Sequence, residues 1–316
     1  MTDPTREDVL EASERIAGTV IRTPLLPASI RGRNVWLKCE CLQTGGAFKL
    51  RGASNRLLAM NTKERARGVV AFSSGNHAQG IAIAAHRLGI KATIVMPSDA
   101  PALKVEGTRA NGARIIFYDR QTESREAIAA EIAATSGAIV VPSFDDPWIV
   151  AGQGTVGLEI LEQCAEAGRG APPAIVIPVG GGGLASGIAL ACPDSRIVGA
   201  EPDGWDDMRA SIAAGEIVPV GANPPPSLCD ALQTPRVSPI TFSILDSRDA
   251  AIVTVSDSEV TEAIRWTWSH HQLVVEPGGA AALAAVLTEK TDAEEGMAIV
   301  LSGGNVDPAL HARLVA

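Results

Sequence analysis

Apolar and polar positions along this chain fall into two kinds of block. Short runs rich in Val, Ile and Ala recur at residues 68–72, 92–96, 114–118, 138–141, 174–179, 196–200, 251–255 and 297–301. Runs of that length, bounded by Gly, Pro and polar residues, read as buried strands. Between most of them lie segments with helical apolar spacing, at residues 77–88, 124–135, 156–167 and 258–270. The alternation predicts an α/β protein whose parallel-rich sheets are flanked by helices. No fixed-period repeat is present, which argues against solenoids and propellers. Residues 171–193 carry no charge and are long enough to span a bilayer. Pro178 and four successive glycines divide that stretch, so it predicts a strand, a glycine loop and a helix starting near Leu184.

Composition narrows the function classes. With 316 residues and 46% hydrophobic content the chain can bury a large core and divide into two lobes. A formal net charge of -9 disfavours nucleic acid and anionic membrane surfaces as partners, because both call for a basic footprint. The polar start, Met1-Thr2-Asp3-Pro4-Thr5-Arg6-Glu7, has no apolar signal core, and a cytoplasmic location is expected. Five scattered cysteines fit a reduced compartment better than a disulfide framework. Cys39-Glu40-Cys41 lacks a matching second thiol pair and reads as strand residues rather than a metal site.

The candidate chemistry lies in four polar motifs: Gly46-Ala47-Phe48-Lys49-Leu50-Arg51-Gly52-Ala53, Ser73-Ser74-Gly75-Asn76-His77, Gly180-Gly181-Gly182-Gly183 and Ser302-Gly303-Gly304-Asn305. Three of them directly follow a predicted strand, where ligands of parallel sheets bind. The glycine loop opens a helix, so its N–H groups and the helix dipole suit a phosphate. The same loop also satisfies a dinucleotide reading, since Glu201 ends the next strand about 20 residues on. Lys49 favours pyridoxal 5'-phosphate, whose chemistry needs a lysine amine to hold the cofactor as an imine and to shuttle the α-proton. An isolated lysine at a helix start is ordinarily a solvated charge; the company of the other motifs changes that.

From Pro24 and Leu25 through Ser302-Gly303-Gly304-Asn305-Val306-Asp307 the chain resembles the fold type II pyridoxal-phosphate enzymes, in particular the serine/threonine dehydratases, serine racemases and 3-hydroxyaspartate dehydratases. The resemblance implies that Lys49 forms the imine beside Phe48 and that Asn76 contacts the ring hydroxyl. Ser73, Ser74, Asn76 and His77 would receive the substrate carboxylate. Gly180, Gly181, Gly182, Gly183 and Leu184 would bind phosphate, with Ser302 facing the pyridine nitrogen and Glu276 near it. A neutral serine there leaves the nitrogen largely unprotonated, which suits elimination better than transamination. The implied reaction turns a β-hydroxy amino acid into a 2-oxo acid and ammonia. Ser74 matches the position that supplies a second proton donor in racemase-like members, so racemisation is a second implied activity.

Departures from the family pattern bear on the substrate. Ala47 stands where serine is usual and Gly45 where threonine is usual. Cys229-Asp230-Ala231 replaces the more frequent Ala-Asp-Gly and leads to Thr234 and Arg236. Lining of the pocket by these two would let Arg236 pair with a second carboxylate, making 3-hydroxyaspartate an alternative substrate. Glu201, Trp205 and Asp207 have the family's spacing for a divalent cation held by two acids and a backbone carbonyl, suited to magnesium, calcium or manganese. His270 and His271 read as a helix-end feature, and Trp205, Trp266 and Trp268 as packing residues. The resemblance further implies a small domain at residues 65–150 inserted into a large domain made of residues 1–64 and 151–316, a homodimer, and no control by isoleucine, since no residues follow Ala316 to form a regulatory domain.

Overall fold

The structure is a computed structural model, which describes residues 3–316. Its strands are β1 (Leu25–Ile30), β2 (Arg33–Cys39), β3 (Val69–Phe72), β4 (Ala92–Pro97), β5 (Arg114–Tyr118), β6 (Ile139–Val140), β7 (Ala174–Pro178), β8 (Arg196–Pro202), β9 (Ala251–Val255) and β10 (Ala298–Leu301). They form a six-stranded sheet in the order β1-β2-β10-β7-β8-β9 and a four-stranded sheet in the order β5-β4-β3-β6. Every pairing is parallel except β1 with β2.

All five residues of β7 are buried, as expected of a central parallel strand covered on both faces. The period of two then sorts its side chains. Ala174 and Val176 join Val198, Ala200, Ile299 and Leu301 in one core. Ile175 and Ile177 join Ile197, Ala298 and Val300 in another on the opposite face. The first core is closed by the helices Asp257–His271 and Pro277–Leu287, the second by Pro147–Glu166, Gly183–Ala191 and Pro239–Ser247. A third core joins Val69, Ala71, Ile94 and Met96 of the smaller sheet to the helices Asn76–Leu88 and Lys49–Leu58.

All eight expected strands are present, though the run at 138–141 shortens to Ile139–Val140. The expected helix at 156–167 begins earlier, at Pro147, because Asp146 caps it by accepting from the N–H groups of Trp148 (2.8 Å) and Ile149 (3.1 Å). The β1–β2 hairpin is not among the elements that the apolar runs predict. It turns on Arg31 and Gly32, both in the left-handed region (φ 51° and 74°), the geometry of a tight two-residue hairpin. Cys39 ends β2, while Cys41 lies in the following 3-10 turn. Among the described residues no helix is long and apolar enough to cross a membrane.

Candidate active site

The strands β3, β7 and β10 end on one side of their sheets, and the residues that follow them meet around a cavity of about 580 Å³. Ser73, Ser74, Asn76 and His77 come from the β3 end, Gly180 to Leu184 from the β7 end, and Ser302 from the β10 end. Phe48, Lys49, Thr234, Arg236 and Glu276 complete the set of expected cofactor and substrate residues, all of which line this one cavity.

Lys49 is the first residue of the helix Lys49–Leu58. The segment before it lies along the β10 end: Ala47 and Gly303 form an isolated bridge, and the Phe48 N–H donates to the Ser302 carbonyl at 3.2 Å. Lys49 Nζ donates to the Ser143 carbonyl at 3.2 Å and lies 5.0 Å from the Phe48 ring centroid. Burial lowers its pKa to about 8, against the opposing charge of Glu276. The neutral amine is therefore accessible close to neutrality.

The glycine loop presents unpaired donors. Gly182, in the left-handed region at φ 84°, sits just before the helix Gly183–Ala191, which has no side-chain cap. Among the described residues the N–H groups of residues 180–185 have no hydrogen-bond partner, and the first pairing is Ser186 to Gly182 at 2.8 Å. A Cβ on Gly181 would lie 2.3 Å from the Phe144 ring, so only glycine fits beneath that side chain. A row of free donors at a helix N-terminus, with no competing side chain, fits a phosphate.

Asn76 is fixed by the opposite wall. Its Nδ2 donates to Glu276 Oε1, and its Oδ1 accepts from Asn305 Nδ2 at 2.9 Å. Asn305 also donates to the Gly45 carbonyl at 2.7 Å. Burial pushes the Glu276 carboxyl up to about 7, opposed by Lys104, and its Oε2 lacks a hydrogen-bond partner. His77 uses Nε2 to donate to the Val141 carbonyl at 2.9 Å, which requires the Nε2–H tautomer; burial and then the Lys49 charge lower its pKa to about 3. His77 is thus a neutral wall of the site. The Ser73 hydroxyl accepts from Gly75 N–H at 3.1 Å.

Lys104, Arg125 and Asp230 are among the cavity residues that no motif in the sequence marks. Lys104, almost fully buried, reaches from the helix Ala102–Ala110 to Asp230 Oδ2 at 2.6 Å and approaches Glu276 Oε2 at 3.6 Å. Arg125, whose guanidinium lies 5.4 Å over the Phe72 ring, also lines the cavity. Asp230 lay inside the noted Cys229-Asp230-Ala231 departure, but nothing there marked it as a partner for Lys104.

The acidic pair expected to bind a cation is buried at the end of β8. Glu201 caps the helix Asp207–Ala214, accepting from Met208 N–H (3.0 Å) and Arg209 N–H (2.9 Å). Both carboxylate oxygens of Asp207 are buried without a partner. Burial raises the Asp207 carboxyl to about 7 and Glu201 well above the usual carboxylate range. Among the described residues no cluster of three His, Cys, Asp or Glu side chains is assembled, so a cation here would rely on backbone carbonyls and water as well. Trp205 donates its indole N–H to the Pro225 carbonyl at 2.8 Å. His270 Nδ1 donates to the Trp266 carbonyl at 2.9 Å near the helix end, with its ring stacked 4.6 Å from that of Trp266. Trp268 is more exposed than its expected packing role implies, at 41%.

Comparison with known proteins agrees with this architecture. Residues 16–303 match the family model described as "Pyridoxal-phosphate dependent enzyme". An L-threo-3-hydroxyaspartate ammonia-lyase of Pseudomonas sp. is 43% identical over 317 residues, covering 98% of this chain and 97% of that protein. A protein of the same name from Saccharomyces cerevisiae is 42% identical, covering 100% and 97%. The structure of maize serine racemase superposes with a TM-score of 0.92 at 36% identity, covering 99% of this chain and 97% of that one. The matched family uses a pyridoxal cofactor, not the nicotinamide that the glycine loop alone also allowed. The chain belongs to the pyridoxal-phosphate dependent enzymes of fold type II.

Proposed function

We propose that this enzyme dehydrates and deaminates a β-hydroxy amino acid to a 2-oxo acid and ammonia, with Lys49 as the residue that carries the cofactor and moves the α-proton. The observation that carries the reading is the convergence of an amine depressed to about 8 and a row of unpaired glycine-loop donors on one cavity. Bound pyridoxal phosphate supplies an aldehyde for attachment to an amine and a ring that draws electrons from the substrate α-carbon. The residues present fit that group: residues 180–185 offer N–H donors to its phosphate, Ser302 a neutral hydroxyl to its ring nitrogen, and Asn76, held by Glu276 and Asn305, an amide to its ring hydroxyl. Lys49 Nζ, in its neutral form, accepts the α-proton. The loop of Ser73, Ser74 and Asn76 lies at the N-terminus of the helix Asn76–Leu88 and suits the substrate carboxylate. The β-hydroxyl leaves as water by taking up a proton that balances the one Lys49 removes, and hydrolysis of the released enamine yields the 2-oxo acid and ammonia.

Arg236 favours 3-hydroxyaspartate within this class. It lines the cavity as an exposed guanidinium with no hydrogen bond to another described residue, ready for a second carboxylate. The two ammonia-lyases named for that substrate support the same choice. Ser74, on the same cavity, supports racemisation as an accompanying activity. A divalent cation beside Asp207 would satisfy two buried oxygens that otherwise have no partner. The small domain is assigned to residues 65–150, with both limits falling inside helices, Thr62–Arg67 and Pro147–Glu166.

The test is turnover of serine, threonine and the 3-hydroxyaspartate isomers, read for both 2-oxo acid and inverted amino acid. Formation of a 2-oxo acid from 3-hydroxyaspartate at the highest kcat/KM is expected. Absence of 2-oxo acid from every member of the panel, with cofactor bound, would overturn the assignment.

A further inference from the structure

Two residues beyond Lys49, Arg51 carries a guanidinium fully withdrawn from solvent. The position is costly in two ways. A cation in the first turn of a helix faces the positive end of the dipole, and an unpaired buried charge is prohibitive. Two carboxylates offset both costs. Glu40, just after β2, receives Nε and Nη2 at 2.8 Å each. Glu159, on the helix Pro147–Glu166, receives Nη1 at 2.7 Å and Nη2 at 2.8 Å. Thr155 Oγ1 and the Ile21 carbonyl each accept at 3.2 Å, so the guanidinium is enclosed along its edges. Lys38, also fully buried, closes the cluster on Glu159 at 2.6 Å, and its two positive and two negative charges balance.

We infer that Arg51 is a positioning residue for the reaction: its double fork fixes the rotation and axial place of the helix turn that bears Lys49. The inference rests on the assignment of Lys49 above. Burying Lys38, Glu40 and Arg51 outright, with Glu159 only partly exposed, is a poor way to gain stability, since apolar side chains of similar volume often do as well or better. What paired forks provide is direction, because two carboxylates approaching one planar guanidinium leave little freedom to turn. The anchors flank the reactive residue. Phe48 N–H holds the Ser302 carbonyl on one side of Lys49, and Arg51 holds Glu40 and Glu159 on the other. Glu40 and Glu159 lie outside the cavity lining, so the cluster acts on Lys49 through the backbone turn and not by contact with ligand.

The test uses holoenzyme of Arg51→Lys, Arg51→Met and Glu159→Gln, with Leu57→Ala, in the core of the same helix, as a stability control. Four quantities are read: unfolding midpoint, bound pyridoxal phosphate, the share of it fixed to Lys49 by borohydride, and the split between kcat and KM. Arg51→Lys keeps a charge but loses the forks. It is expected to retain cofactor by its phosphate while the share fixed to Lys49 falls. Its kcat should drop about 100-fold with little change in KM, the cost of a reacting group misplaced by about 1 Å. Glu159→Gln should fall between this variant and wild type. Leu57→Ala should lose stability yet keep the wild-type share on Lys49 and kcat within about twofold, since it breaks no fork. A wild-type share and kcat in Arg51→Lys, or a fall in Leu57→Ala that tracks lost stability, would overturn the inference. If Arg51→Met does not fold, the other variants decide. No adduct on Lys49 in wild type would instead overturn the assignment of Lys49 and this inference with it.

Discussion

Gly52 and Gly152 bring the helices Lys49–Leu58 and Pro147–Glu166 together so closely that a Cβ on Gly152 would lie 2.7 Å from the Gly52 Cα. A Cβ on Gly52 would lie 2.8 Å from the Ile149 carbonyl oxygen, so neither helix leaves room for a side chain at this crossing. This contact continues the fastening of the Lys49 helix that Arg51 begins and that Asn55 extends by donating to the Trp148 carbonyl at 2.7 Å. Gly152→Ala should therefore destabilise the protein by about 1–3 kcal/mol through overpacking, measured by urea unfolding of the apoprotein. An unchanged midpoint would mean that the helices can separate without loss.

The depressed pKa of Lys49 sets a pH profile for cofactor uptake. Only the neutral amine attacks an aldehyde, and it predominates above about 8. The rate of pyridoxal phosphate attachment to apoprotein, followed by visible absorbance, should rise about tenfold per pH unit in the acid range and level off near 8. A plateau reached only near the ordinary lysine value would show that Lys49 is not desolvated in solution.

Asp207 predicts a stability change of opposite origin. Its carboxyl, raised by burial from 3.8 to about 7, binds a proton more tightly folded than unfolded. Stability from that site is thus full below about 3.8 and is lost as pH rises through about 7. In chelator at pH 8, Asp207→Asn should be more stable than wild type by about 2 kcal/mol, the scale of an unsatisfied buried group. Magnesium, calcium or manganese should raise the wild-type unfolding midpoint and leave that of Asp207→Asn unmoved. A cation effect surviving in the variant would place the ion elsewhere.

Substitution of Arg236 should separate substrates. A charge-assisted bond to a second carboxylate is worth about 1.5–3 kcal/mol. Arg236→Ala should then lower kcat/KM for 3-hydroxyaspartate about 10- to 100-fold relative to serine. An unchanged ratio would reduce Arg236 to a rim charge.

Substitution of Ser74 should separate the two reactions. A positioned proton donor contributes about 100-fold or more, so Ser74→Ala should lower the ratio of racemisation to elimination by about that factor. Chiral chromatography of unreacted serine against 2-oxo acid yield measures it.

Much of this was legible in the sequence wherever chemistry and periodicity are local. The apolar runs gave the central strands, and the glycine loop at 180–183 announced a helix N-terminus because it follows a strand-like run and precedes a helical one. The β1–β2 hairpin was not legible, since Pro27 interrupts its first strand and Arg31, not Asn or Asp, takes the left-handed position of its turn. Lys104 was hidden for a different reason. It lies between the apolar runs at 92–96 and 114–118 in a segment with no polar motif, and its partners Asp230 and Glu276 lie far along the chain. Arg51 was quoted within a motif, but the carboxylates that give it a role, Glu40 and Glu159, sit on separate elements that only the fold unites. Residue type at one position announces a donor; burial and pairing are settled by long-range packing.

Borohydride reduction of the holoenzyme followed by peptide mapping tests the central claim most directly. The account predicts loss of visible absorbance and a reduced pyridoxal phosphate mass on the peptide containing Lys49 alone. Cofactor fixed to any other lysine, or released unreduced with Lys49 unmodified, would contradict it.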